Sequence, residues 1–458
     1  MSRPFALAAA LIAAVFLAIY LPDIGHGFIS DDYRWIVESR VQNVQHAVGL
    51  FGRSIGFYRP LVSLTFAADY AIWEVNTFGY GLTNLLLLGA AAILLFALAR
   101  RFELPPAASL VGVAVWLFNF HAVNMALLWV SGRTALLASV CALIASHLFL
   151  RGRFALAGVA GLAAMLSKEE AVVLPVLFTA YVWITVRRAP LYGAPRESRD
   201  TGRRSLASTW ALWGALAIYL ALRLQSDAFW PGDAPPFYAF TSSPAVIGRN
   251  MLEYVDRAGT VAVGVILLLY AFTGFRPAAF LEPERHALLL SALWIPAMFA
   301  LTVLVPVRSS LYALLPSIGS ALAAAAVASV AARVRPMGFS RAAVVLAIAM
   351  VALVPVYRSR NVRWVALAEL SERVMTVVQR ETAGRPRGHV VLVDAPTERF
   401  NLDAAFGALF PEAVRLRVGE GWTGEIVGRV GDVRQRGDPM FQLLPAGRLV
   451  EISNLMPN

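Results

Sequence analysis

Two residue types are almost missing from this chain. Among 458 residues Cys141 is the only cysteine and Lys168 the only lysine. A single thiol excludes both a disulfide framework and a thiolate metal site. Charge of either sign is scarce as well: 15% of the residues carry one, while 58% are hydrophobic. A soluble domain of this length needs more charged surface than that, so the composition excludes that class and points to a polytopic α-helical membrane protein. The formal charge of +11 raises the question of a nucleic-acid partner. The arginines, however, cluster in short loops between apolar runs, where they orient a chain in lipid, and no nucleic-acid partner is expected.

Apolar runs fall at about 5–22, 79–99, 106–120, 134–150, 154–167, 171–187, 206–223, 254–273, 287–305, 311–332 and 341–357, which predicts about eleven transmembrane helices. No small-residue cleavage signal precedes Pro22-Asp23, so the first run reads as a retained helix rather than a signal peptide. Arg100-Arg101, Arg151 with Arg153, the segment from Arg187 to Arg204, Arg276 with Arg285, and Arg333, Arg335 and Arg341 fall on one side. The positive-inside rule makes that side cytoplasmic together with the N-terminus, and leaves the 23–78 loop and the C-terminus outside. The abundance of alanine and arginine suits a GC-rich bacterial genome, hence a bacterial inner membrane.

The loop from 23 to 78 is rich in aromatics. Asp31 to Arg40, Gln42 to Phe51 and Arg59 to Trp73 have helical spacing, which predicts amphipathic helices lying on the outer surface. After Tyr357 the composition changes. A transmembrane domain over 1–357 and a small extracytoplasmic α/β domain over 358–458 are expected. In the latter, Asn361 to Glu381 and Leu402 to Phe410 read as helices; His389 to Val393, Val414 to Val418, Val427 to Val430 and Leu449 to Ile452 read as strands.

Outer-side charges concentrate in five short motifs: Asp31-Asp32, just beyond the first helix; Tyr58-Arg59-Pro60-Leu61; His121 through Ser131-Gly132-Arg133; Ser167-Lys168-Glu169-Glu170; and Arg308-Ser309-Ser310-Leu311-Tyr312. Each has a bland reading: loop acids or a helix cap for the aspartates, snorkelling for Arg59, a hydrogen-bonded structural residue for His121, local Lys–Glu neutralisation, an interfacial anchor for Arg308. Their convergence on one membrane face favours a site. They bring carboxylates able to remove a proton or hold a metal together with cations able to grip a phosphate.

These stretches, with Gly81-Leu82-Thr83-Asn84-Leu85 and Pro316-Ser317, follow one another in an order that resembles the GT-C membrane glycosyltransferases, in particular the protein O-mannosyltransferase type and its relatives with tetratricopeptide tails. The resemblance covers roughly the first 320 residues. Ala122 and Met125 depart from the family pattern around His121, and the tail is not a tetratricopeptide array. The resemblance implies transfer of a sugar from a polyprenyl- or dolichyl-phosphate carrier to an acceptor hydroxyl of protein, lipid or glycan, with inversion, on the outer side. Under it, Asp31 is the general base and Asp32 its orienting neighbour; Arg59, Lys168, Arg308 and Tyr312 hold the lipid phosphate; Tyr58, Glu169, Glu170, Arg133 and His121 contact sugar or acceptor. A divalent cation is compatible with the paired aspartates, although no further ligand set accompanies them. A transporter for lipid-linked sugars would instead place polar groups near mid-membrane and show repeats, and a scaffold would leave the outer charges unexplained.

Overall fold

The computed structural model describes residues 3–54, 56–188, 205–230, 234–385, 387–394, 401–428, 439–444 and 448–452. Its helices are α1 (Arg3–Tyr20), α2 (Asp31–Glu38), α3 (Val44–Gly49), α4 (Pro60–Trp73), α5 (Thr77–Arg101), α6 (Pro106–Leu117), α7 (Ala122–Leu128), α8 (Arg133–Leu150), α9 (Phe154–Met165), α10 (Leu174–Arg188), α11 (Trp210–Leu224), α12 (Pro244–Thr273), α13 (Glu282–Phe299), α14 (Leu314–Val334), α15 (Pro336–Ala352) and α16 (Val354–Thr382). Among the described residues eight helical segments are long and apolar enough to cross a bilayer, and two bent pairs, α6 with α7 and α15 with α16, raise this to ten. The remaining predicted crossing, 154–167, is the twelve-residue α9. It is shorter than a helix that spans hydrocarbon unaided. The run predicted at 254–273 begins ten residues earlier, at Pro244, and its added turns carry Arg249, Glu253 and Asn250.

Helix α14 is the axis of the bundle and is almost wholly buried. Its alanines explain why: small side chains let neighbouring backbones close in, the usual solution where lipid removes the hydrophobic drive between helices. A Cβ on Gly112 of α6 would stand 2.7 Å from the Ala321 carbonyl oxygen. At the opposite end from the acidic loop, Arg101 donates to the Leu150 carbonyl at 3.1 Å, joining two of the arginine-bearing turns.

The outer loop folds as expected into α2, α3 and α4. The C-terminal domain continues α16 into a four-stranded sheet, β1 (Gly388–Val393), β2 (Trp422–Val427), β3 (Met440–Leu444) and β4 (Arg448–Glu451), with α17 (Leu402–Phe406) and α18 (Phe410–Arg417) before β2. The order is β2-β1-β3-β4; β1 is parallel to β2 and β3, and β4 antiparallel to β3. Alternation in β1 sends Val390 and Leu392 into the main core with Phe406 and Phe410, and Val391 and Val393 toward Met440 and Ile452.

Two sequence expectations fail here. The segment Val414–Val418 is not a strand; through Arg417 it is α18, whose Ala413, Val414 and Leu416 are buried, with Val418 as its C-cap. Strand β3 was not anticipated. Of the predicted strand Val427–Val430, Val427 ends β2 and residues 429–430 lie outside the described residues.

Candidate functional site

The turn before α2 is strained. Ser30 has φ 48°, a left-handed conformation costly for a non-glycine residue, and Gly27 before it has φ 132°. The backbone N–H of Ser30 donates to the Ala405 carbonyl at 2.8 Å, so the C-terminal domain holds this turn in place. As consecutive helical residues, the two aspartates point in different directions. Asp32 is fully buried; it accepts from the Ile29 N–H at 3.0 Å, the Ser131 N–H at 2.7 Å and the Ser131 hydroxyl. Burial nevertheless pushes its carboxyl up to about 7. It is a bolt between the first loop and the turn that precedes α8.

Asp31 is half-exposed and, among the described residues, no hydrogen bond or ion pair occupies its carboxylate. Burial raises its affinity for a proton, while Arg34 and Arg59 pull the other way; the net shift is upward. A carboxylate so placed has oxygens able to accept from a hydroxyl group. Neither aspartate offers a ready metal site. Asp32 already receives three donors, and no cluster of three or more His, Cys, Asp or Glu side chains exists among the described residues.

Arg59, the residue before the proline that opens α4, grips Glu169 in a bidentate pair at 2.8 and 2.6 Å. Lys168 and Glu170 form a buried ion pair at 2.9 Å, and the ammonium lies 5.0 Å from the Tyr312 ring centre. Glu169, Glu170 and Tyr312 line a cavity of about 260 Å³ together with Phe57, Arg223 and Tyr238. Asp31 does not line this cavity, but its charge acts on Tyr238, which does.

Four predicted site residues, Arg133, Tyr58, Arg308 and His121, stand elsewhere. Arg133 is fully buried: it pairs with Asp69 at 2.5 Å and donates to Asn84 and to the Tyr80 and Thr65 carbonyls. It fastens α8 to α4 and α5 and has no face for sugar or acceptor. Tyr58 is fully buried as well, and its hydroxyl donates to the Phe51 carbonyl at 2.8 Å. Arg308 does not join Arg59 and Lys168. It pairs with Glu253 and lines a second cavity, of about 530 Å³, which also takes in His121. The expected single cradle is thus two spaces, separated by the turn that carries Ser309, Ser310 and Tyr312.

Sequence reasoning missed Arg223, Tyr238, Arg257, Arg360 and Arg363. Only the last two carried a signal, a pair of cations three apart on the helix after Tyr357; the others lie in runs that read as membrane or linker.

No family model matches the chain. A protein O-mannosyl-transferase, F38B6.6 of Caenorhabditis elegans, is 28% identical over 148 residues, 29% of this chain and 21% of that protein. The chain therefore spans about a fifth of that relative's length. The apo crystal structure of ArnT from Cupriavidus metallidurans matches 94% of this chain and 87% of its own, at TM-score 0.50 and 12% identity. The arabinofuranosyltransferase AftD from Mycobacteria matches 93% of this chain and 32% of its own, at TM-score 0.47 and 14% identity. The match over 94% of this chain shows that it shares the fold of ArnT.

Proposed function

We propose that the protein transfers a sugar from a polyprenyl-phosphate carrier to an acceptor hydroxyl on the extracytoplasmic face of the membrane. One observation carries this reading. Of two adjacent aspartates, one is locked by three donors, while its neighbour has no hydrogen bond or ion pair among the described residues and acts electrostatically on Tyr238, in the wall of a cavity that also holds Glu169, Glu170 and Tyr312. In this reading the Asp31 carboxylate takes the proton of the acceptor hydroxyl. The acceptor oxygen bonds to the anomeric carbon, the bond from that carbon to the phosphate oxygen breaks, and polyprenyl phosphate leaves with the electron pair. Attack opposite the leaving group inverts the anomeric centre. Arg59 and Lys168 face the departing phosphate after loosening their carboxylate partners, because a phosphate dianion competes well for a guanidinium fork and an ammonium. Glu169 and Glu170, once displaced, are placed to accept from sugar hydroxyls.

Three supports converge: the GT-C fold, the order of the motifs, and an amphiphilic cavity at the end of the bundle where a lipid headgroup would arrive. The test is transfer by the purified full chain from a radiolabelled polyprenyl-phosphate sugar to a panel of hydroxyl acceptors. Asp31→Asn should lose at least about 10²-fold in rate, as expected for removing a general base. Full activity in Asp31→Asn would remove the assignment.

A further inference from the structure

The larger cavity has a composition unlike the rest of the outer surface. Arg257 of α12, Arg308 at the entry to α14, and Arg360 and Arg363 of α16 point into about 530 Å³ of space, and no acidic side chain lines it. A cavity of this size holds a small ligand or a headgroup. Two acids act on the lining residues without lining the cavity themselves. Glu253 pairs with both Arg257 and Arg308, and also with Arg249; Asp256 hydrogen-bonds Thr260 and acts on His121 from a distance. One carboxylate shared by three guanidiniums leaves them undercompensated.

Arg360 and Arg363 carry no ion pair among the described residues; each lies against an aromatic ring, Phe120 at 4.3 Å and Trp364 at 5.5 Å. Ring contacts orient a guanidinium and leave its N–H groups free to donate. Ser310 adds a hydroxyl to the same lining, while the Ser359 and Ser309 hydroxyls donate to the Val356 carbonyl at 2.8 Å and to Met125 Sδ at 3.4 Å. Two guanidiniums without a carboxylate partner among the described residues, two that share one, and a serine hydroxyl beside them suit the oxygens of a phosphate group.

The cavity also abuts the aspartate turn. Its wall residue Trp364 stacks on Trp129 at 6.3 Å, and both pack against the cluster of Ile29, Leu367 and Ala368, whose Ile29 N–H holds Asp32. The donor-side cavity lies across the Ser309–Tyr312 turn. We propose that this space is an anion subsite that binds a phosphate ester on the acceptor, so that the acceptor is a phosphorylated molecule and not a neutral glycan or peptide. The word acceptor rests on the transferase reading; the binding of phosphate does not.

The two are separated by measuring binding without turnover. Tryptophan fluorescence of the full chain in detergent, reporting Trp364, is titrated with glucose 6-phosphate, with glucose as the uncharged control, and with nanodiscs of phosphatidylglycerol against phosphatidylcholine. Saturable binding of the sugar phosphate, absent with glucose, is expected, and the Arg360→Gln/Arg363→Gln double variant should weaken it by about tenfold or more. Arg360→Lys/Arg363→Lys keeps the charge and should stay within about threefold of the parent, which separates lost charge from lost folding. A response confined to phosphatidylglycerol nanodiscs assigns the phosphate to a lipid headgroup; a response to both assigns it to the ester itself. Equal binding by the parent and the folded Gln variant, or no binding of either phosphate, overturns the subsite. A transfer-competent Asp31→Asn would overturn the transferase reading alone and leave these binding results standing.

Discussion

Asp31 and Asp32 show how two identical, adjacent residues acquire different chemistry from their surroundings. Asp32 is pushed up to about 7 by burial, against an ordinary value of 3.8. A raised value means that the folded protein binds this proton more tightly than the unfolded chain does. Its contribution to stability is therefore complete below about pH 4 and declines as pH rises through about 7. Thermal unfolding in detergent should show the parent losing stability across that range, with Asp32→Asn flattening the slope; an unchanged slope would place the titration elsewhere. Asp31 is shifted upward too, by burial. A base must be deprotonated, so transfer should fall on acidification, with an acid limb above the usual carboxylate range that vanishes in the residual activity of Asp31→Asn. Arg133 makes the opposite point. Its removal leaves Asp69 as a buried charge without its cation, and Arg133→Ala should cost about 3–5 kcal/mol of stability, far more than an acceptor-binding arginine on a cleft surface would.

Among the elements, contacts between backbones set the geometry of the outer loop. A Cβ on Gly81 would stand 2.0 Å from the Ile24 carbonyl oxygen, an immovable neighbour, so α5 rests directly on the turn that leaves the first helix. Gly81→Ala should destabilise by about 1–3 kcal/mol and lower transfer with it, because that turn leads to the aspartates. Gly89→Ala, on the same helix with open space around it, is the matched control and should be neutral in both readouts. Helix α16 carries more than its amphipathic pattern announced. After the bend at Val354 it lays Arg360 and Arg363 into the larger cavity, Ser371 against the Tyr33 hydroxyl and Val374 and Met375 into the core, joining the helical bundle and the C-terminal sheet in one rod.

For the molecule as a whole, the decisive contacts tie the C-terminal domain to the aspartate helix. Tyr33 stacks on Phe406 at 5.8 Å, Arg34 pairs with Glu412 at 3.3 Å, and Ser30 is held by Ala405. The domain thus shares a side with the loop that follows the first crossing, which requires an odd number of crossings in all. A reporter fused after Asn458 should respond as extracytoplasmic and one placed at Gly152, between Arg151 and Arg153, as cytoplasmic; with the bent pairs counted as crossings, this outcome makes α9 a further one. Phe406→Ala, by removing a buried ring beneath α2, should cost about 3–5 kcal/mol in the outer domain and loosen Asp31 without touching it.

Composition alone determined the class of this protein, because a chain with so little charge has no solvent in which to fold except lipid. Periodicity placed the helices of the outer loop, and the run lengths placed most of the spans, since both depend on local spacing. The order of short motifs was enough to suggest the fold. What local pattern could not decide was which charges meet. Arg133 and Arg308 looked alike as arginines at the outer boundary; one proved to be a buried fastener between three helices and the other a wall of a second cavity. The strand expected at Val414 became a helix because its apolar residues face α2 and the sheet together, and β-branched residues follow burial more than propensity. Pairing of charges across 50 to several hundred residues is a property of the packed bundle. Only the tertiary structure could leave Asp31 open, close Asp32, and gather four arginines around one empty space.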